Sequence, residues 1–251
     1  MTLEQFFQEH PTGALAFSGG VDSSLLVWAA KKYGKDWRAY FVSSAFQPAF
    51  ELADAKKVAE ECGMPLTVLP VDIFACHEVI ENPEDRCYHC KRRVFSRILE
   101  QAQSDGYSLV IDGTNASDDA ADRPGMRALG ELSVRSPLRE CGLTKGEIRE
   151  LVREAGLFIW SKPSYACLAT RVPTGTVITA EALAKAERGE AALARLGFVN
   201  FRLRVCGTIA LLQFTADQFA YALQRREEIR ALLQEDFSTA ALDLLPRNRA
   251  Q

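Results

Sequence analysis

Ser18-Gly19-Gly20-Val21-Asp22-Ser23-Ser24 lies between a short apolar run, Ala14 to Phe17, and a helical pattern that runs from Ser23 to Tyr33 and stops at Gly34. A strand that ends in a glycine-serine turn and opens a helix restricts the chain to folds assembled from strand–turn–helix units. The two glycines let backbone approach a ligand closely, and the helix N-terminus, with the Ser23 and Ser24 hydroxyls, points donors at an anion. A serine-capped turn without a ligand is the plain alternative. The loop lacks the Gly-Lys-Ser/Thr ending of a Walker A sequence, so a γ-phosphate kinase or GTPase site is not supported.

The same alternation continues downstream. Arg38 to Val42 reads as a strand, Glu51 to Glu61 as a helix closed by Gly63, Leu66 to Val71 as a strand, Cys90 to Gln103 as a helix and Leu109 to Asp112 as a strand. Strands separated by helices of about 10 to 15 residues predict an α/β fold with a doubly wound parallel sheet, whose ligands sit at the carboxyl ends of the strands. The loops after Phe17, Val42 and Asp112 are therefore the ones to inspect. Ser43 and Ser44 fall in the second, at an adenosine pocket by analogy with such folds. Asp112-Gly113-Thr114-Asn115, with Asp118, Asp119 and Asp122 behind it, offers ligands for Mg²⁺ or nucleotide hydroxyls, or else a solvated acidic loop.

Thr144 with Glu147 forms a capping box for a helix that ends before Gly156. Pro163, Pro173 and Gly175 then cluster, and the pattern changes. A nucleotide domain over 1–168 and a smaller α+β domain over 169–251 are expected, the latter with a helix from Ala180 to Arg195, strands Phe201 to Val205 and Thr208 to Phe214, and one long helix from Gln218 to Leu233.

Composition narrows the class. With 47% apolar and 25% charged residues and a net charge of −3, the 251-residue chain is no disordered segment, and it lacks the basic excess of domains built to hold a nucleic-acid backbone. No apolar run reaches the ~18 residues of a membrane span, and Met1 to Pro11 carries Glu4 and Glu9 but no basic stretch, so a cytoplasmic protein is expected. Seven cysteines in such a chain are core thiols, metal ligands or reactive groups rather than a disulfide framework.

They sort by context. Arg86-Cys87-Tyr88-His89-Cys90-Lys91 contains a CxxC beside cations, yet one CxxC supplies only two metal ligands. Cys167 is a third candidate, between Lys162 and Arg171, whose charges would favour its thiolate. Cys62, Cys76, Cys141 and Cys206 are expected to be buried core thiols. In Phe201-Arg202-Leu203-Arg204-Val205 strict alternation sends Phe201, Leu203 and Val205 to the core and sets Arg202 beside Arg204, a pair suited to a phosphate or carboxylate, or to a solvated face.

The phosphate loop matches the SGGxDS loop of PP-loop, or N-type, ATP pyrophosphatases. Joined with Asp85-Arg86-Cys87-x-x-Cys90-Lys91, Asp112-Gly113-Thr114-Asn115, Arg123-Pro124-Gly125, Ser136-Pro137-Leu138, Lys162-Pro163-Ser164-x-x-Cys167-Leu168-Ala169-x-Arg171 and Leu196-Gly197-Phe198 before Arg202-Leu203-Arg204, it makes the chain resemble the LarE family nearly end to end. The resemblance implies a PP-loop fold and an ATP-dependent sulfur transferase that adenylates the two carboxylates of pyridinium-3,5-biscarboxylic acid mononucleotide and replaces AMP with sulfur, making a precursor of a nickel-pincer cofactor. It implies ATP contacts at Ser18, Gly19, Gly20, Asp22, Ser23, Ser24, Ser43, Gly113 and Arg123, catalysis by Asp22 and Cys167, and substrate binding by Arg202 and Arg204.

Mg²⁺ would accompany ATP. Two routes for sulfur follow from the family: a sacrificial Cys167 that ends as dehydroalanine, or a [4Fe-4S] cluster on Cys87, Cys90 and Cys167 whose open iron carries sulfide. The presence of all three cysteines favours the cluster. A sulfur donor protein or free sulfide and a homo-oligomer, with a hexamer as the candidate, are the implied partners. One residue departs from the pattern: Gln213 stands where the family usually has an acidic side chain. Other PP-loop enzymes, such as a tRNA thiolase or an amide-forming ligase, and a non-catalytic nucleotide or iron–sulfur sensor are the rival readings.

Overall fold

The computed structural model describes residues 1–118 and 124–247. In chain order the elements are α1 (Leu3–Glu9), β1 (Thr12–Ala16), α2 (Val21–Tyr33), β2 (Asp36–Ser43), α3 (Ala49–Cys62), β3 (Leu66–Pro70), α4 (His77–Ile80), α5 (Arg86–Ser104), β4 (Val110–Ile111), α6 (Pro124–Glu131), α7 (Pro137–Glu140), α8 (Lys145–Glu154), α9 (Ala180–Arg195), β5 (Arg202–Cys206), β6 (Ile209–Gln213), α10 (Phe219–Gln224), α11 (Arg226–Leu233) and β7 (Thr239–Leu242). They divide into two compact units, one of Met1–Ala75 with Asp85–Tyr165, the other of Cys76–Glu84 with Ala166–Gln251.

In the first unit four parallel strands run in the order β3-β2-β1-β4, with Leu15 paired to Ala39 on one side and to Ile111 on the other. Period-two alternation divides the strand residues between two apolar layers. Leu15, Phe41 and Ile111 pack with Leu25, Leu26 and Ala29 of α2. Ala14, Tyr40, Val42 and Leu69 pack with Phe95, Ile98 and Ala102 of α5. Because the strands run parallel, the loops after β1, an inner strand, and β4, its edge neighbour, lie at one end of the sheet, as the doubly wound expectation required.

The second unit is an α+β arrangement. β5 and β6 form an antiparallel pair, β7 adds in parallel to β6, and α9 supplies Leu183, Ala186 and Leu193 to the core. Asn82, fully buried, donates from Nδ2 to the carbonyls of Val172 at 3.4 Å, Pro173 at 2.8 Å and Thr176 at 3.1 Å, which ties the 76–84 stretch into this unit.

Several expectations shift. α2 begins at Val21 with Gly20 as its N-cap, two residues before the expected start. α5 begins at Arg86, so the CxxC is helical rather than a preceding loop. The expected single helix from Gln218 to Leu233 is broken at Arg225, whose backbone, φ −94° and ψ 12°, closes α10 and opens α11. The 3.6-residue apolar period runs across that kink, so a one-residue break leaves no mark on it. α1, capped by a Thr2–Gln5 box, and β7, an alanine-rich strand, were not foreseen. Cys62, Cys76, Cys141 and Cys206 are only half-buried rather than core residues. Among the described residues no helix is long and apolar enough to cross a membrane.

Candidate active site

The turn after β1 is held by its own side chains. The Ser23 and Ser24 hydroxyls donate to the Gly20 carbonyl at 3.2 and 2.8 Å, and the Ser18 and Ser23 hydroxyls lie 3.1 Å apart. The two hydroxyls expected to face an anion are thus engaged within the turn. What the turn presents is backbone: the first amides of α2, which have no partner inside the helix.

A cavity of about 310 Å³ opens beside this turn. Ser18, Gly20, Asp22 and Ser23 line it from the loop, Tyr40, Phe41 and Val42 from β2, and Asp112, Gly113, Thr114 and Asp118 from the segment after β4. Gly19, Ser24 and Ser43 do not line it. The Ser43 carbonyl instead accepts the Val71 amide at 2.9 Å. Gly113 is a requirement of close approach, because a Cβ there would lie 3.0 Å from the Ser23 amide nitrogen. Arg123, Asp119 and Asp122 lie outside the described residues.

The acidic residues divide by task. Asp112, 6% exposed, accepts from the Thr114 hydroxyl at 2.5 Å and the Ser136 hydroxyl at 2.6 Å, and so shapes the loop. Asp22 points its charge problem at the cavity: burial pushes its carboxyl above the ordinary range and Asp118 adds to the rise, against Lys145 and Arg149. A carboxylate whose charge is made costly by burial and by a second carboxylate suits a divalent cation shared with phosphate oxygens, since Mg²⁺ takes one or two carboxylates plus substrate phosphates.

Reading by residue type missed Gln47, Glu51 and Lys91, which also line the cavity. Lys91 was legible: Lys91, Val94, Phe95 and Ile98 fall at i, i+3, i+4 and i+7 of α5, one stripe of a helix.

In the second unit Cys167 precedes a short 3₁₀ turn, Leu168–Arg171, and is half-buried. Arg171, 1% exposed, makes a two-pronged pair with Glu190 at 2.7 and 2.9 Å and donates to the Ala166 carbonyl at 2.8 Å. Lys162, in the first unit, is 2.5 Å from Asp54. Both cations expected to favour a Cys167 thiolate are therefore matched to carboxylates.

β5 alternates as expected from Arg202 on, with Leu203 and Val205 buried and Arg202 and Arg204 half-buried on the other face, while Phe201, expected in the core, precedes the strand and is half-buried. Burial pushes Arg202 down to about 10, and Arg247, Arg171 and Arg204 press the same way. Burial likewise lowers Arg247, whose Nε has no partner among the described residues. Crowded cations on a half-buried surface suit an anion.

Cys87 and Cys90 are one turn apart on α5, Cys87 exposed and Cys90 half-buried, while Cys167 belongs to the other unit. Among the described residues no three His, Cys, Asp or Glu side chains gather into a metal-holding group.

The family model described as asparagine synthase matches residues 4–113, the strand–loop–helix half of the first unit. An uncharacterised protein of Synechocystis is 35% identical over 88% of this chain and 83% of its own length. The pyridinium-3,5-bisthiocarboxylic acid mononucleotide synthase of Lactiplantibacillus plantarum is 30% identical over 92% of this chain and 84% of its own. The chain belongs to the LarE family. A tRNA-specific 2-thiouridylase of Clostridium botulinum is more distant, 26% identical over 60% of this chain.

In this LarE chain the Gln213 departure has a local partner. Gln213 accepts from Arg204 Nε at 2.9 Å and donates to Asp243 at 2.7 Å. The carboxylate expected on β6 is thus supplied one link away, from the segment after β7.

Proposed function

We propose that this protein is an ATP-dependent sulfur transferase that adenylates the carboxylates of pyridinium-3,5-biscarboxylic acid mononucleotide and replaces AMP with sulfur, on the way to a nickel-pincer cofactor. The observation that carries the reading is the Ser18–Ser24 turn at the carboxyl end of a parallel sheet, beside a carboxylate-lined cavity, in a chain alike over most of its length to a synthase of the corresponding bisthiocarboxylic acid.

A substrate carboxylate oxygen bonds to the α-phosphorus of ATP, and the bond from that phosphorus to the bridging oxygen of the β-phosphate breaks. The first amides of α2 receive charge that develops on the departing pyrophosphate, which is where preorganised donors accelerate such steps most. Asp22 and Asp118 would hold Mg²⁺, which neutralises phosphate charge when bound. Arg202 and Arg204 bind the phosphate or free carboxylate of the substrate, relieving their mutual repulsion.

Sulfur then displaces AMP. In the sacrificial route the Cys167 sulfur bonds to the acyl carbon as AMP leaves, a base removes the Cys167 Cα proton, and the Cβ–S bond breaks to leave dehydroalanine and a thiocarboxylate. In the alternative route that the family implies, Cys87, Cys90 and Cys167 would hold a [4Fe-4S] cluster, which would supply an open iron for sulfide. Only Cys87 and Cys90 share a face of one helix, α5, and among the described residues no three such side chains gather into a metal-holding group.

Pyrophosphate release with the pyridinium dicarboxylate, with tRNA and with no acceptor tests the assignment. Release that only tRNA elicits would replace it with a thiolase. Anaerobic purification with iron and sulfide analysis, set beside the mass of Cys167 after turnover, separates the two sulfur routes.

A further inference from the structure

Within the first unit the Lys162 side chain, 16% exposed, reaches the back of the phosphate loop, where its ammonium donates to the Gly19 carbonyl at 3.2 Å and to Asp54 at 2.5 Å. The Phe50 ring lies 5.0 Å from Nζ, and Tyr165 meets Phe50 edge to face at 5.0 Å, closing the ammonium in. We propose that Lys162 is a positioning residue for pyrophosphate, acting by aiming the Gly20 amide. The inference rests on the reading of the loop as a pyrophosphate site and names the residue that readies it.

The argument is geometric. A peptide unit is planar and trans, so the Gly19 carbonyl and the Gly20 N–H point in opposite directions. Gly20 lines the cavity and Gly19 does not. Pulling the Gly19 carbonyl outward therefore turns the Gly20 N–H to the opposite side, where it donates to the cavity-lining Ser18 hydroxyl at 3.4 Å, a long bond that a phosphate oxygen at the start of α2 would replace.

Left to itself that peptide is easily reversed. It joins two glycines, with no Cβ on either side to resist rotation, and Gly19 already sits at φ +73°. Reversal would present a carbonyl oxygen to pyrophosphate and withdraw a donor. The loop is also pressed against α3, since a Cβ on Gly19 would lie 2.6 Å from the Glu51 carbonyl. Lys162, held by Asp54 of the same helix, completes this backing. Asp54 cancels its charge, so its effect on an anion is one of direction rather than attraction.

Two roles for Lys162 then differ in sign. If the ammonium attracted phosphate directly, Asp54→Asn would unmask it and tighten binding. If it aims the amide, Asp54→Asn slackens the ammonium and weakens binding.

Titration calorimetry of Mg²⁺ and inorganic pyrophosphate into the full chain tests this, with Lys162→Met, Lys162→Arg, Asp54→Asn and the double variant Lys162→Met/Asp54→Asn. Lys162→Met is expected to weaken pyrophosphate about 10- to 100-fold, the range of one lost hydrogen bond to a charged group. The double variant should be equally weak, which excludes the stranded carboxylate as the cause, and Lys162→Arg should recover most of the affinity. The Gly20 amide resonance should move in Lys162→Met before any ligand is added. Tighter binding by Asp54→Asn, or an unmoved Gly20 resonance with unchanged affinity in Lys162→Met, overturns the inference. A wild-type chain that binds neither pyrophosphate nor ATP sinks the reading of the site itself, a result distinct from binding that ignores Lys162.

Discussion

The two candidate regions solve opposite electrostatic problems. In the first unit the loop hydroxyls are satisfied within the loop and the surplus charge is negative, on Asp22 and Asp118. In the second the surplus is positive, on Arg202 and Arg247, while Arg171 is neutralised by Glu190. On the proposed reading the first receives an anion only together with a cation, and the second an anion alone. That contrast separates a metal-nucleotide site from a site for an unaccompanied phosphate or carboxylate, and it can be attacked at four points.

The largest effect is expected from Glu190→Gln. It strands Arg171 at 1% exposure, and losing one partner of a buried pair costs about 3 to 5 kcal/mol, so the melting temperature should fall steeply. Glu190 also accepts the Leu203 amide at 3.0 Å, so thermal unfolding monitored by circular dichroism reads the pair and the arginine strand together.

Gly19→Ala comes next. A Cβ at 2.6 Å from a backbone carbonyl, at φ +73°, is expected to cost about 1 to 3 kcal/mol and to abolish measurable pyrophosphate binding while leaving phosphate binding at Arg202 intact.

Asp22→Asn should do the reverse to stability. A carboxyl raised above 3.8 carries a penalty at neutral pH, relieved as pH falls through its folded value and gone below 3.8. The variant should therefore melt higher than wild type at neutral pH, with the gain shrinking as pH is lowered, and should lose Mg²⁺-ATP binding. An equal gain at every pH would break the argument.

The smallest effect belongs to Arg202→Gln. With its folded value near 10, Arg202 carries its full crowding penalty at neutral pH, and removing it should raise stability by about 0.5 kcal/mol. The stabilisation that inorganic phosphate gives wild type should vanish. If phosphate stabilises both proteins equally, the anion site lies elsewhere.

The features that sequence disclosed best are those with a short-range cause. The glycine-serine turn, the Thr144–Glu147 box and the Ala180–Arg195 helix each follow from neighbours within a few residues, and the alternation of the arginine strand follows from the pleat. What escaped depends on partners far along the chain. Nothing near Lys162 announces that its ammonium meets Gly19 and Asp54, and Ser24 reads as a donor until its hydroxyl is seen on Gly20. β7 has no β-branched run, and only its pairing with β6 makes it a strand. Lys91, also missed, is the exception, since helix periodicity alone would have placed it with Val94 and Phe95.

The buried Asn82 carries a consequence for how such a chain can be taken apart. Its three carbonyl partners all lie beyond residue 171, and the Gly175 amide returns a bond to its own carbonyl at 2.9 Å. A fragment that starts at Ala166 would lack the residue that fastens its first loop, and a fragment that ends at Tyr165 would carry that residue without these three carbonyls. No single cut yields two self-sufficient pieces. Gene fusion or exchange between relatives must therefore carry the two segments of the second unit as a matched set, and a hybrid joined at one crossover inherits a mismatch at Asn82.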